Sequence, residues 1–375
     1  MTSISLGGNA PVDTGVVLEV DDLTVTFPTE DGLVQAVRGV SYKLGRGEAL
    51  GIVGESGSGK SVSSLALMGL LPSSAKITGS ARFRGQELLG RTDEEMSKIR
   101  GKGIAMIFQD PLTSLNPVYT VGKQIAEAVL VHNDVSKKSA LRRAIELLQI
   151  VGIPNPVQRI DNYPHELSGG MRQRVVIAIA MANNPDLMIA DEPTTALDVT
   201  VQAQVLEALE AARAETGAAL VLITHDLGVI AGHADRICVM YAGKLVEAGT
   251  VDEIFYEPRM PYALGLLGSL PRLDLGARAR LTPIVGSPPS LLHLPPGCPF
   301  MPRCPLAQDI CEQQEPELLP VDGNPRHLAA CHFSDRLVGM KPGDVFAVTS
   351  MDLDTSDVAV AQTELAADAD LEEPK

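Results

Sequence analysis

The sequence predicts an α/β fold with a mainly parallel sheet, and three observations carry that prediction. Short apolar runs (49–53, 103–108, 187–190 and 219–224) alternate with helix-compatible runs (62–71, 172–182 and 201–213), as strands joined by crossover helices do. The first of these runs leads straight into Gly54-Glu55-Ser56-Gly57-Ser58-Gly59-Lys60-Ser61, and a helix follows. The run at 187–190 ends on two adjacent acids, Asp191 and Glu192.

Taken in order, residues 18–26 alternate and predict a strand, and a polar turn at 28–32 leads to a second strand at 34–44. Gly45-Arg46-Gly47-Glu48 turns the chain into the strand at 49–53. After the helix at 62–71, Pro72-Ser73-Ser74 breaks the pattern, and 77–83 predicts another strand. A short polar helix is expected at 92–99, then the buried strand at 103–108, which ends at Gln109-Asp110-Pro111. Residues 121–151 carry helical periodicity through Ile125, Val129, Leu141, Ile145 and Leu148. Leu167-Ser168-Gly169-Gly170-Met171 opens the helix at 172–182. The strand at 219–224 ends at His225, and 237–241 with 244–248 suit a closing strand pair. From Pro258 onward prolines become dense, which reads as a loop-rich appendage.

Composition limits the function classes. The chain has 375 residues, is 45% hydrophobic and carries a net charge of −16, with no basic block of the kind nucleic acid would attract. The first residues show no basic region followed by an apolar core, so no secretory signal is expected. No apolar run approaches the roughly 20 residues a membrane-spanning helix needs. The expected location is therefore cytosolic, which leaves docking onto a membrane protein open. Residues 1–17 are expected to be disordered, as is the acidic stretch 336–375, which is too polar to bury a core.

Strand, glycine-rich loop and helix with Gly-x4-Gly-Lys-Ser make the P-loop pattern. Ser56, Gly57, Ser58 and Gly59 let backbone N–H groups curl around phosphates, and the helix N-terminus adds open donors. Lys60 would reach the β- and γ-phosphates of ATP, and Ser61 would offer its hydroxyl to Mg2+. Asp191 is the expected carboxylate behind Mg2+, and Glu192 the expected general base for water. Gln109 and His225 also end buried strands. The first could ligate Mg2+ and orient water, and the second could bond the γ-phosphate and steady Glu192. Ser168, Gly169 and Gly170 open a second helix N-terminus suited to an anion. It would serve either the same nucleotide or that of a partner subunit.

Four of the five cysteines fall in the appendage: Cys298, Cys304, Cys311 and Cys331, spaced C-x5-C-x6-C-x19-C. That spacing matches neither zinc knuckles nor ferredoxin patterns. A metal or cluster site and reduced structural thiols both remain open. His327 and His332 are possible substitute ligands, and Cys238 reads as a buried strand residue.

The order P-loop, Gln109, Leu167-Ser168-Gly169-Gly170, Asp191-Glu192, Ala196-Leu197-Asp198, His225 resembles an ATP-binding cassette (ABC) ATPase across residues 18 to about 255. The resemblance implies an ABC-type P-loop ATPase core with an antiparallel β subdomain and a helical subdomain at about 90–165. It also implies head-to-tail cassette dimers, in which Ser168, Gly169 and Gly170 act in trans and Asp198 lies at the seam. Met171 stands where that family usually has Gln. The family stacks an aromatic on adenine, and Phe27 is the best match, since Tyr42 is too close to the loop.

Phe108-Gln109-Asp110-Pro111 with Ser114-Leu115-Asn116-Pro117, Thr194 to Gln202, and Arg259-Met260-Pro261-Tyr262 resemble the oligopeptide and dipeptide branch of ABC importers. Met260 replaces the usual His there. The resemblance makes 256–335 the C-terminal domain of that branch. It implies two membrane permease subunits, a second ATPase (identical or paralogous), an extracytoplasmic peptide-binding protein, and attachment to the cytoplasmic face of the membrane. Nickel and glutathione importers share the branch, and a soluble ABC ATPase is the more distant alternative. Some importers of this kind carry a 4Fe-4S cluster, which the resemblance assigns to Cys298, Cys304, Cys311 and Cys331.

Overall fold

The computed structural model of the protein describes residues 15–195, 197–270 and 282–346. Three strands build a first, antiparallel sheet: β1 (Val16–Thr29), β2 (Gly32–Gly45) and, later in the chain, β4 (Lys76–Phe83), edged by the short β5 (Gln86–Glu87). Its order is β2-β1-β4-β5. Between them in sequence come β3 (Ala49–Val53) and α1 (Lys60–Leu67). The next elements are α2 (Asp93–Ser97), β6 (Ile104–Ile107), α3 (Pro111–Ser114), α4 (Val121–His132), α5 (Lys137–Ile150), α6 (Pro156–Arg159) and α7 (Gly169–Ala180). Then follow β7 (Leu187–Asp191), α8 (Val199–Thr216), β8 (Ala219–Thr224), α9 (Leu227–Ala231), β9 (Arg236–Tyr241) and β10 (Lys244–Thr250).

The second sheet runs β11-β12-β10-β9-β3-β8-β7-β6, with β6, β7, β8, β3 and β9 parallel. The five parallel strands are buried on both faces, which is why they read as unbroken apolar runs rather than alternating ones. Leu50 and Ile52 of β3 point into the core shared with the antiparallel sheet, beside Ile189, Val221 and Ile223. Ala49 and Val53 point the other way, into the core shared with the helices. Each parallel strand therefore ends at one common edge, where the loops after β3, β6, β7 and β8 meet. Ligands in such sheets bind beyond these strand ends.

The helical segment expected at about 90–165 begins later. Residues 104–107 form a strand of the core sheet, and the helical layer starts at Pro111. The single periodic run at 121–151 is two helices, broken at Asn133, whose backbone is extended, and restarted by Ser136, whose hydroxyl accepts from Ser139 N–H.

Beyond β10 the chain forms α10 (Val251–Tyr256), α11 (Pro261–Gly268), α12 (Asp309–Gln313), β11 (Leu319–Val321), β12 (Asn324–Ala329) and α13 (Pro342–Val345). The appendage is joined to the cassette by main-chain pairing, because β12 pairs with β10 at Glu247↔Ala329 and Ala248↔Leu328. The disordered tail expected from residue 336 is corrected in part. The chain stays folded through residue 346, since Leu337, Val345 and Phe346 are buried apolar anchors in the helical-side core. The rest of that tail (347–375) and residues 1–14 of the expected disordered N-terminus lie outside the described residues, whereas Val16 and Val17, expected to be disordered, already belong to β1, with Val17 buried. Among the described residues no helix is long and apolar enough to cross a membrane.

Candidate nucleotide site

The site begins with β3, whose five residues are all buried and which aims the following loop out of the sheet edge. Only glycine fits two positions of that loop. Gly54 (φ 158°) and Gly59 (φ 100°) lie in the left-handed half of the map, and an added Cβ would stand 2.1 Å from Met240 O and 2.3 Å from Ala36 O. Gly59 opens α1 with no side-chain cap, and the first turn holds no acidic residue. The open donors and the positive end of the helix thus face the cavity.

That cavity measures about 650 Å3, and its walls include Glu55, Ser56, Gly57, Gly59, Lys60, Ser61, Gln109, Glu192 and His225. Lys60 is 4% exposed and donates to the carbonyls of Gly54 (2.8 Å) and Glu55 (3.0 Å). Burial pulls its pKa down, and the Glu192, Asp191 and Glu55 carboxylates oppose the fall. Ser61 Oγ donates to Asp191 Oδ1 at 2.8 Å. Burial raises the Asp191 pKa, against the Ser61 hydrogen bond. A hydroxyl and a carboxylate paired at the foot of a cationic cradle form a donor set suited to Mg2+.

Glu192 has a left-handed backbone (φ 46°), which is strained for a residue with a side chain. Its N–H donates to Ile223 O at 2.9 Å, holding the strain in place. Glu192 Oε2 accepts from Gln109 Nε2 (3.2 Å) and Thr195 Oγ1 (2.8 Å), and His225 Nδ1 stands 3.4 Å away. Glu192 Oε1 is 4.0 Å from Lys60 Nζ. The start of α1 after β3 and the ends of β6, β7 and β8 therefore bring Lys60, Gln109, Glu192 and His225 together from distant parts of the sequence.

The other expected site residues sit elsewhere. Ser168, Gly169 and Gly170 are not walls of this cavity. Ser168 caps α7 by accepting from Met171 N–H, and Gly170 lets α7 approach α8, since a Cβ there would lie 2.2 Å from Val201 Cγ1. Ser58 is buried behind the loop. Phe27 pairs with Val34 in the antiparallel sheet, half-buried against the core between the sheets, and does not line the cavity. Tyr42 is buried in β2.

Four residues beyond β10 reach the site in roles that the sequence did not assign to them. Leu266 and Ser269, from α11 and its cap, line the cavity. Glu55 of the loop donates its N–H to Tyr262 Oη (2.9 Å), and its carboxylate is gripped by Arg303 through two bonds of 2.6 and 2.8 Å. The Arg303 side chain is 5% exposed. The one signal for it was its place beside Cys304.

The four appendage cysteines surround one small apolar pocket of about 20 Å3, together with Phe300, Met301 and Leu306. That is room for about one water. All five cysteines are free thiols. Burial raises the thiol pKa of Cys298, and takes Cys304 to about 12 and Cys331 to about 11. Among the described residues no group of three or more His, Cys, Asp or Glu side chains is arranged to hold a metal ion. His327 does not line that pocket, and its Nε2 pairs with Glu247. His332 Nε2 bonds the Gln314 carbonyl, and Cys238 is buried in β9.

Comparison with known proteins decides the family. A family model described as ABC transporter matches residues 37–195, and one described as oligopeptide/dipeptide transporter, C-terminal region, matches residues 246–311. The dipeptide transport ATP-binding protein DppD of Bacillus subtilis is 56% identical over 302 residues, spanning 80% of this chain and 90% of its own. The chain belongs to the ATP-binding proteins of the oligopeptide/dipeptide ABC transporter family.

The oligopeptide transport ATP-binding protein OppD of Mycobacterium tuberculosis is 58% identical over 333 residues, 88% of this chain. The chain spans about half (54%) of the length of that relative. Among solved structures, the ATP-binding cassette MJ0796 in a post-hydrolysis dimer with ADP and Pi is similar at 28% identity. Its TM-score is 0.56, and the match covers 62% of this chain and 98% of that one. The cassette fold is thus that of the family, and the C-terminal region is the family's added part.

Proposed function

We propose that the chain is the ATP-hydrolysing, energy-coupling subunit of an importer of di- or oligopeptides. The observation that carries this is the placement of Glu192, held in a strained backbone between Lys60, Gln109 and His225 over the Ser61–Asp191 pair. Glu192 acts as general base on the attacking water, Gln109 orients that water, and His225 keeps the carboxylate aimed and bonds the γ-phosphate. Lys60 and the loop donors carry the triphosphate charge. Ser61, Asp191 and Gln109 would hold Mg2+, which neutralises charge on the β- and γ-oxygens when bound. Phe27, which is not a wall of the phosphate cavity, would stack an adenine that extends beyond it.

Ser168, Gly169 and Gly170 are not walls of this cavity, which supports a site completed by these residues of a second cassette, with Asp198 at the seam. Closure of such a dimer on nucleotide moves two permease subunits, and hydrolysis reopens it. A peptide-binding protein outside the membrane supplies substrate, and this subunit sits on the cytoplasmic face. Exposed Leu112 within the segment 110–117, with Val118 and Tyr119 just after it, supports a groove there for a permease helix.

The appendage cysteines are proposed to carry the 4Fe-4S cluster. Four free thiols around one pocket support this reading; as they stand they are not arranged to hold a metal ion, and the pocket must widen to accept the group. It would staple a loop-rich region that has little core of its own.

Glu192→Gln tests the central reading. The variant should bind ATP and stop turning over. Hydrolysis near the wild-type rate would remove Glu192 from the base role.

A further inference from the structure

We propose that Arg303 is a positioning residue for the nucleotide, holding and neutralising Glu55 so that the loop presents donors, and no bare carboxylate, to a triphosphate. The proposal rests on reading residues 54–61 as the phosphate cradle. Glu55 is a wall of the 650 Å3 cavity. An unpaired carboxylate there would repel a polyanion through partly buried surroundings, where charges are poorly screened.

Arg303 answers that charge with paired parallel bonds, Nη1 to Oε2 at 2.6 Å and Nη2 to Oε1 at 2.8 Å. The guanidinium is itself fixed. Its Nε donates to Val285 O (3.2 Å), its Nη1 reaches Tyr241 Oη (3.4 Å), and it lies about 6 Å from the Tyr241 and Phe300 rings. This is a pre-organised pair with Arg303 buried, unlike a mobile surface ion pair.

The main chain of Glu55 is also held. Its N–H goes to Tyr262, and its carbonyl accepts from Lys60. Tyr262 packs on Tyr241 and Phe300, with ring centroids 4.5 and 5.5 Å apart, so the two residues that grip Glu55 share one aromatic platform. Both come from the region matched by the C-terminal family model. The appendage therefore furnishes part of the nucleotide site in the same chain.

The test is calorimetric titration of the full-length chain with MgATP and, separately, with adenosine. Arg303→Ala should raise the ATP Kd about tenfold, the scale of one charge left unanswered, and barely move adenosine. Adding Glu55→Gln to that variant should restore most of the ATP affinity, because the repelling charge is gone. Arg303→Lys should fall between, since an ammonium cannot pair both carboxylate oxygens. An unchanged ATP Kd in Arg303→Ala, an equal loss for adenosine, or no rescue by Glu55→Gln overturns the proposal. If Arg303→Ala does not fold, Arg303→Lys decides, and a wild-type ratio of ATP to adenosine affinity overturns it. Lys60→Ala separates the two readings. If it leaves ATP binding intact, the cradle assignment fails, whereas loss in Lys60→Ala with none in Arg303→Ala fails Arg303 alone.

Discussion

Glu247 of β10 and His327 of β12 meet at 2.9 Å with 0% and 3% of their surfaces exposed. The same carboxylate accepts from the N–H groups of Arg259 (2.7 Å) and Met260 (3.0 Å). One side chain thus ties the last cassette strand to the appendage strand and to the segment that leads into α11.

Glu247→Ala removes the acceptor for three buried donors and should cost about 3 kcal/mol. Glu247→Gln keeps an acceptor oxygen and should cost less than half as much. Chemical denaturation of both variants measures this, and equal losses would show that the hydrogen bonds are not what matters.

The pair also predicts a pH dependence. Burial holds the Glu247 carboxyl above its usual range, opposed by the His327 bond and the backbone donors. A raised folded pKa means the group's contribution is complete below its unfolded value and is lost as pH climbs through the folded one. Glu247→Gln is neutral throughout, so the stability gap between wild type and variant should narrow as pH rises above the ordinary carboxylate range. Thermal melts across that range read the sign, and a widening gap contradicts it.

Gly170→Ala should destabilise the fold by about 2 kcal/mol, because the new methyl meets Val201 where α7 and α8 touch. Val201→Ala in the same chain opens the space and should return most of the lost melting temperature. No recovery would place the cost in the backbone of α7 instead.

Asp198 caps α8, its carboxylate accepting from Thr200 and Val201 N–H at 3.1 Å each. Asp198→Ala should cost about 1 kcal/mol and Asp198→Asn only a few tenths. If Asp198→Asn is stable but loses ATP-dependent dimerisation, as the seam reading expects, the carboxylate has a second role that capping does not explain.

Anaerobic purification tests the cysteine pocket. The expected result is stoichiometric iron and sulfide with visible charge-transfer absorbance. Cys304→Ser with Cys331→Ser should lose both. Iron-free, colourless wild-type protein would leave four structural thiols.

The nucleotide site was legible where its residues end apolar strands. The run Leu187 to Ala190 can only be a buried strand, so Asp191 and Glu192 had to emerge at a sheet edge, and the same logic located Gln109 and His225. The helical periodicity of 121–151 was legible too, but the break at Asn133 was not, because a single polar residue does not interrupt a 3.6-residue pattern. The appendage was opaque for a physical reason. β11 and β12 are three and six residues long and contain Pro320 and Pro325, so they carry no alternation of their own and exist because β10 offers them an edge. Arg303 and Glu55 are 248 residues apart, and nothing local in either segment announces the pairing.

The pairing of β12 on β10 bears on how this protein can be cut. A minimal cassette ending near residue 255 would strip the cover from β10 and leave its main-chain donors and acceptors open along one side. It would also expose Val246 and the carboxylate of Glu247 to water. An open strand flanked by apolar side chains recruits other strands, so such a fragment should self-associate and precipitate. Fragments ending after residue 346 keep the edge covered, and are the ones to express.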